Sequence, residues 1–433
     1  MLRKNARLLL QLSRKLWVRV AGIAALSVIA SLVAPLLGPV LPWEATDRFG
    51  IETTRPILNI LASGMLVVTT FSLNVMVSAY RNAGGQATPR AYRLLLEDTT
   101  TQTVLATFTG AFIYALAALL LLNAGFYDGK AALVIFGFTV LVTVLIVVAI
   151  LRWIDHLSDL GNMDHTMRTI EGRTATVLGT RQTAPALGAQ PVPADRPLPD
   201  TGRPLPTERS GYVTFIDIDK LQEEMEATGG TFRILARPGD FIVLGDPLGY
   251  FTRPDPEDED GDQASRDDAL RKAFTIGELR SFDQDPRYGL MVLAEIGMRA
   301  LSPGVNDPGT ANEVVRRIER LLWDKGGVLD GPGADPEKAE EIARPNVEAA
   351  PFSATGLIEA GFGPVMRHAQ SELDTLHHLV GAAARLSGHP DPEMAAAGAD
   401  LLRELEARLE TAPLPEIDRQ RIASELAEVG ARR

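Results

Sequence analysis

The residue types best suited to chemistry gather between Arg280 and Asp307. Arg280, Asp283, Asp285, Arg287, Arg299, Ser302, Asn306 and Asp307 bring guanidinium groups, carboxylates and helix-capping side chains into one stretch. Arginines beside helix N-termini can hold a small anion through charge-assisted bonds and orphan backbone N–H groups. The same arginines, paired with the aspartates, instead make a network that fixes a helix joint. The centre of the stretch is Arg299–Val314, RALSPGVNDPGTANEV. Ser302-Pro303 and Asp307-Pro308 each set a capping residue before a proline suited to the first helical position. They predict two helix starts close together, with N–H groups pointing into a corner between two helices. A structural joint is the expected role of Arg280, Arg287, Arg299, Ser302, Asn306 and Asp307, and an anion site is the alternative.

A second set lies in an apolar setting. Asn59, Ser63, Thr70 and Asn74 fall within about 60° of one another at roughly 100° per residue, with Ser78 just beyond. A polar stripe on a membrane helix either lines water or hydrogen-bonds a neighbouring helix. Interhelical bonding is the expectation, and a pore-lining face is the alternative.

Other groups carry less. Asp155, His156, Asp159, Asp164 and His165 suggest a metal, but the two histidines fall on roughly opposed faces of a continuous helix. His377-His378 has no matching ligand set and reads as a surface or interface pair. Cysteine is absent, which excludes disulfides, thiolate sites and a cysteine nucleophile. There is no HExxH, no G-x-S-x-G elbow and no Walker loop. The acidic run at 254–268 lacks the ligand spacing and closing glutamate of a calcium loop. No catalytic residue, metal or cofactor is therefore expected.

The elements that would position these residues begin with a basic N-terminal segment, MLRKNARLLLQLSRKLWVRV, read as a retained signal anchor. Four uncharged apolar segments follow, Val20–Leu41, Pro56–Tyr80, Thr101–Phe126 and Ala131–Leu151, each near the roughly 20 residues that cross a bilayer. Basic residues at the N-terminus and at Arg81, Arg90 and Arg93 predict four transmembrane helices with both termini cytosolic. No Asp, Glu, Lys or Arg lies deep in a span, which argues against a proton relay or voltage sensor. The net charge of −12 over 433 residues comes from the later two-thirds of the chain, and no basic patch suggests a nucleic-acid partner.

The predicted organisation is a basic segment and transmembrane domain at 1–156, then a connecting helix and linker at 157–207. A small β-module at 208–253, an acidic loop at 254–268 and a helical domain at 269–433 complete it. The fold class is membrane α-helical with a cytosolic α+β region. In the β-module, PGDFIVLGDPL resembles the turn sequence of biotinyl/lipoyl barrel-sandwich folds, without a lysine at a hairpin tip.

The segment AFTIGELRSFDQDPRYGLMVLAEIGMRALSPGVNDPGTANEVVRRIERLL resembles the conserved block of an uncharacterised bacterial membrane protein family, domain of unknown function 2254. Ile276-Gly277, Arg280, Asp285-Pro286, Arg287, Gly289-Leu290 and Ala300–Thr310 carry the likeness, and Ser-Pro-x-x-Asn-Asp-Pro is its most specific part. Gly309 departs from the bulkier apolar residue of the pattern. The resemblance implies a multi-pass protein of the bacterial inner membrane and transfers no activity. The expected function is a homo-oligomeric channel-like or transport-associated protein with a cytosolic gating or assembly domain, partnered by lipid and an ion or small anion. The alternative is a membrane-anchored regulatory or scaffolding protein that binds an anionic metabolite or a protein partner.

Overall fold

The structure is a computed structural model and describes residues 16–37, 51–86, 88–96, 98–127, 129–159, 162–199, 202–252, 263–327 and 344–431. The chain divides into two compact units, Met1–Thr166 and Met167–Arg433.

The first unit is helical: α1 (Leu16–Leu37), α2 (Ile51–Gln86), the short α3 (Pro89–Leu96), α4 (Thr99–Asn123) and α5 (Gly129–Asp159). Among the described residues three helices are long and apolar enough to cross a membrane, over Ile51–Arg81, Thr99–Asn123 and Ala131–Leu157. Among the described residues, three of the four expected spans have such a helix, and the first does not. The first predicted span, Val20–Leu41, overlaps α1 only over Val20–Leu37, 18 residues, and its end at 38–41 lies outside the described residues.

Helix α4 is the centre of this unit and packs against α1, α2 and α5. Its most apolar stretch is 56% buried, against 17% in α2 and 28% in α5. Asp98 caps it, accepting from the Thr100 and Thr101 N–H groups at 3.1 and 3.0 Å. Polar contacts tie the helices together. Tyr114 of α4 donates to the Ile135 carbonyl of α5 at 3.1 Å and sits 3.1 Å from Thr139 Oγ1. At the other end of α4, Arg55 donates to Asn123 at 2.8 Å.

The fourth span was expected to run on as one continuous helix, and it does not. Helix α5 ends at Asp159, and α6 (Met163–Thr183) starts after Asn162, whose Oδ1 accepts from the Asp164 N–H at 2.9 Å. The break removes the opposed-face argument for the histidines, because His156 and His165 now have ring centroids 6.3 Å apart. His156 is held by Asp98 at 2.7 Å.

The second unit joins two sheets to a helical assembly. In chain order it continues with β1 (Ala189–Pro191), β2 (Arg203–Pro206), β3 (Gly211–Ile216), α7 (Ile218–Thr228), β4 (Thr231–Ile234), β5 (Phe241–Ile242) and β6 (Pro247–Thr252). Next come α8 (Gln263–Arg271), β7 (Phe274–Gly277), α9 (Pro286–Ala300), α10 (Pro308–Lys325) and β8 (Arg344–Ala349). The C-terminal helices are α11 (Ala354–His368), α12 (Leu373–Leu386), α13 (Pro392–Thr411) and α14 (Glu416–Ala431).

One sheet has the strand order β1-β8-β4-β6-β2 and the other β5-β3-β7. Strand β8 runs parallel to both β1 and β4, with Phe232 opposite Val347. The β-module therefore draws strands from stretches expected to be linker, connection and helical domain. The two expected turns do form, with Gly239 and Gly245 at φ of +90° and +94°.

Helix α9 is the most enclosed helix of the unit, with Leu290, Val292, Leu293 and Ala294 fully buried. It packs on α10 and α11. Gly289 permits a close approach to α6, since a Cβ there would fall 1.9 Å from Thr174 Oγ1. Glu171 of α6 holds α10 by accepting from Arg317 at 2.7 Å and Arg320 at 2.5 Å.

Candidate functional site

Within the second unit, a cavity of about 750 Å³ opens where the β3–β5 sheet faces the start of α9 and one side of α11. Tyr212, Leu235, Gly239, Asp240 and Ile242 form its sheet wall, and Arg280, Arg287 and Met291 its second wall. Ala360, Pro364 and Arg367 come from one face of α11. Its volume lies in the range of small-molecule sites, and its place between two substructures is typical of them.

Asp285 organises the polar part. It is 2% exposed and caps α9, with Oδ1 accepting from the Tyr288 N–H at 3.2 Å and Pro286 following at the first helical position. Its Oδ2 accepts from Arg280 Nε at 2.8 Å and Nη2 at 2.6 Å, a two-pronged pair. The Arg280 guanidinium also lies over the Tyr288 ring, 5.2 Å from its centroid.

Arg287 donates through Nη2 to Asp240 at 2.9 Å and lies 5.2 Å over Phe352. Asp240 also accepts from the Arg237 N–H at 2.9 Å, and the Arg237 side chain stands 3.8 Å from it. Burial pushes the Asp285 carboxyl above its ordinary range, against the pull of Arg280 and Arg287. Gly239 is required by contact as well as by φ. A Cβ there would fall 2.0 Å from Asp285 Oδ2.

Three arginines, Arg237, Arg280 and Arg287, thus share two aspartates, Asp240 and Asp285. Arg287 Nε is buried without a hydrogen-bond partner, and its nearest carboxylate oxygen, on Asp285, is 3.9 Å away. Arg367 stands on the α11 wall, paired with Glu359 at 2.8 Å, both side chains about half exposed. The carboxylates of Asp240, Asp246, Asp285 and Glu359 balance the four arginines in number, and the unmet guanidinium donor is the group that can recognise a further carboxylate or phosphate.

The residues singled out from sequence divide between two places. Arg280 and Arg287 line the cavity. Arg299, Ser302, Asn306 and Asp307 lie toward the far end of α9, and a dozen residues of helix separate Arg287 from Arg299 by about 18 Å. The six do not form one cluster.

Asp307 caps α10 as expected, accepting from the Thr310 N–H at 3.0 Å and its hydroxyl at 2.6 Å. Those bonds hold its carboxyl below the usual range. Ser302-Pro303 does not start a helix. Ser302 instead donates to the Arg299 carbonyl at 2.6 Å, and the turn returns through Asn306 at φ +48°, a conformation asparagine tolerates. The turn is largely exposed, so the N–H groups of α10 do not open into the expected corner. Sequence reasoning missed Asp240, Arg237 and Arg367. Pro238-Gly239-Asp240 signalled only a turn.

On α2, Asn59, Ser63, Thr70, Asn74 and Ser78 are all exposed in the chain. The same helix buries Leu58, Leu61, Met65, Ser72, Met76 and Tyr80. Among the described residues no side chain of another helix bonds the stripe, whereas Tyr114 and Thr139 link α4 and α5. Among the described residues, no group of three or more His, Cys, Asp or Glu could hold a metal ion. His378 accepts from Arg316 at 2.7 Å and bonds the Asp374 carbonyl at 2.8 Å.

Comparison with known proteins gives relatives but no activity. The chain is 26% identical over 333 residues to an uncharacterised protein of Mycobacterium bovis and, to the same extent, to two of Mycobacterium tuberculosis. Each alignment covers 74% of this chain and 62% of the relative, so the chain spans less than two-thirds of their length. No solved structure matches. The model of the family described as Predicted membrane protein (DUF2254) matches residues 13–385, and the chain belongs to that family.

Proposed function

We propose that the protein is a membrane-anchored binding protein whose second unit takes a small organic anion into the cavity beside α9. The observation that carries this reading is Arg287, whose Nε is a buried donor without an acceptor, on the same cavity as Arg280 and Arg367. Apolar walls at Leu235, Ile242 and Met291 suit the body of such a ligand. We assign the second unit and both termini to the cytosolic side of the bacterial inner membrane, on the basic residues Arg81, in the last turns of α2, and Arg90 and Arg93, on α3. Reporter fusions after Arg93 and at the C-terminus test that assignment, and an external signal from either overturns it.

Thermal unfolding of the full chain in detergent, with phosphate, pyrophosphate, citrate and benzoate as probes, tests the cavity. A ligand at a hundred times its Kd stabilises by about 2.7 kcal/mol. The expected result is a rise in Tm with at least one probe, lost in Arg287→Gln and Arg367→Gln. No rise with any probe, or an equal rise in the variants, refutes the reading.

A second reading is a homo-oligomeric channel-like or transport-associated protein with the second unit as its gating or assembly domain. One observation favours it: the polar face of α2 points away from the chain's own helices. Ion flux in proteoliposomes that is blocked by thiol reagents at stripe cysteines would support conduction, and absence of flux would oppose it.

A further inference from the structure

The outward face of α2 has an unmet hydrogen-bonding requirement. At roughly 100° per residue, Asn59, Ser63, Thr70 and Asn74 centre about 150° around the helix from the buried set of Leu58, Leu61, Met65, Ser72 and Met76. The hydroxyls are satisfied locally. Ser63 donates to the Asn59 carbonyl at 2.8 Å and Thr70 to the Leu66 carbonyl at 2.9 Å. The carboxamides are not. Among the described residues neither Asn59 nor Asn74 has a side-chain partner within the chain.

Depth makes this costly. The apolar helix Ile51–Arg81 is centred on Leu66. Asn59 and Asn74 therefore lie about 10–12 Å to either side of its middle, at roughly 1.5 Å per residue. The hydrocarbon half-thickness is about 15 Å, so both carboxamides fall inside it. An amide without a partner there costs several kcal/mol.

We infer that this face is the seam at which two copies of the chain associate side by side in the membrane, with Asn59 bonded to its counterpart within the seam and Asn74 bonding across it from the rim. The inference deepens the homo-oligomeric reading and is independent of the cavity. A carboxamide is both donor and acceptor, so it complements itself. Two copies inserted the same way run parallel, and a two-fold axis brings like residues together.

No charge lies between Arg55 and Arg81 to oppose such an approach. Asn59, Ser63, Leu66, Thr70, Leu73 and Val77 alternate steps of four and three, the spacing of a left-handed helix pair. Leu66 and Leu73 are exposed and would pack across the seam, while Ser63 and Thr70 are small enough to let the backbones approach.

Because the chain lacks cysteine, single substitutions read the face without background. Ser63→Cys, Leu66→Cys and Thr70→Cys in the full chain in lipid are expected to oxidise to disulfide-linked dimers. Val67→Cys and Phe71→Cys, exposed on the flank, are expected to stay monomeric. The double variant Asn59→Leu, Asn74→Leu should weaken association about eightfold, and Asn→Gln at both sites should restore most of it.

A monomeric mass in lipid overturns both the seam and the homo-oligomeric reading. An oligomer that cross-links only at Val67 and Phe71 overturns the seam alone. An oligomer whose stripe cysteines react with a water-soluble thiol reagent but do not cross-link also overturns the seam, and leaves a water-lined face.

Discussion

Removal of the Asp285 carboxylate separates its two structural roles. Asp285→Ala takes away the α9 cap, worth about 1 kcal/mol. It also strands Arg280, whose side chain is only 18% exposed. Breaking a buried pair from one side costs about 3–5 kcal/mol, and the residual exposure of Arg280 and its stacking on Tyr288 argue for the low end. A total of about 3–4 kcal/mol follows. Asp285→Asn keeps the cap and one acceptor but replaces charged bonds with neutral ones, a loss of about 1 kcal/mol.

In a unit this size each kcal/mol moves Tm by roughly 2–4 °C, so Asp285→Ala should lower it by about 6–16 °C and Asp285→Asn by a few degrees. Thermal unfolding of the full chain gives the magnitude. Hydrogen exchange at the Tyr288 amide, which Asp285 protects, localises it. Equal damage from the two substitutions would refute the division of roles, and an unchanged Tm in Asp285→Ala would refute the network. The pH dependence supplies a sign. A carboxyl raised by burial binds its proton more tightly when folded, so its contribution falls as pH climbs from about 3.9 through the folded value. Asp285→Asn should abolish that slope.

Three further outcomes are expected. Asp307→Ala should cost about 1 kcal/mol by loss of the α10 cap, without weakening anion binding at the distant cavity. Because the Asp307 carboxyl is held low, its stabilisation is present above about pH 4 and lost as pH falls further, a slope of opposite sign to that of Asp285 and absent from Asp307→Ala when the two melts are compared. Gly239→Ala combines a φ of +90° with a Cβ only 2.0 Å from Asp285 Oδ2 and should cost more than the roughly 1–3 kcal/mol of backbone strain alone, read by the same melting assay. Tyr114→Phe should weaken the α4–α5 contact by about 0.6 kcal/mol and seldom more than 1.7, measured by unfolding in detergent.

The apolar helices and the Asp307 cap were legible in the sequence because their signals are local. An uninterrupted apolar run marks α4 and α5, and a proline directly after Asp307 marks the start of α10; Asp285-Pro286 carries the same signal and was not read as a helix start. The sheet was less legible. Strands β1 and β2, with sequences AQP and RPLP, resemble linker because proline argues against a strand. Both are sheet edges, where an unpaired N–H is not needed. Strand β8 is interior, but it pairs only with residues far away in the chain. The cavity was hidden for the same reason, since Tyr212, Arg287 and Arg367 meet only after three distant segments pack. Ser302-Pro303 misled because a capping side chain serves a helix end as readily as a start.

The position of β8 in the five-stranded sheet also bears on biosynthesis. This strand lies between β1 and β4, yet it is translated nearly a hundred residues after β6. At about 5–20 residues per second, the ribosome needs roughly 5–20 s to cover that distance. Throughout that interval the emerging chain carries β1 and β4 with their facing edges unpaired, and open edges recruit foreign strands. Nascent chains stalled before Arg344 should therefore be the aggregation-prone species, and those stalled well beyond Ala349 should be protected. The vulnerability of this protein is thus greatest during synthesis, before the sheet has received its last strand.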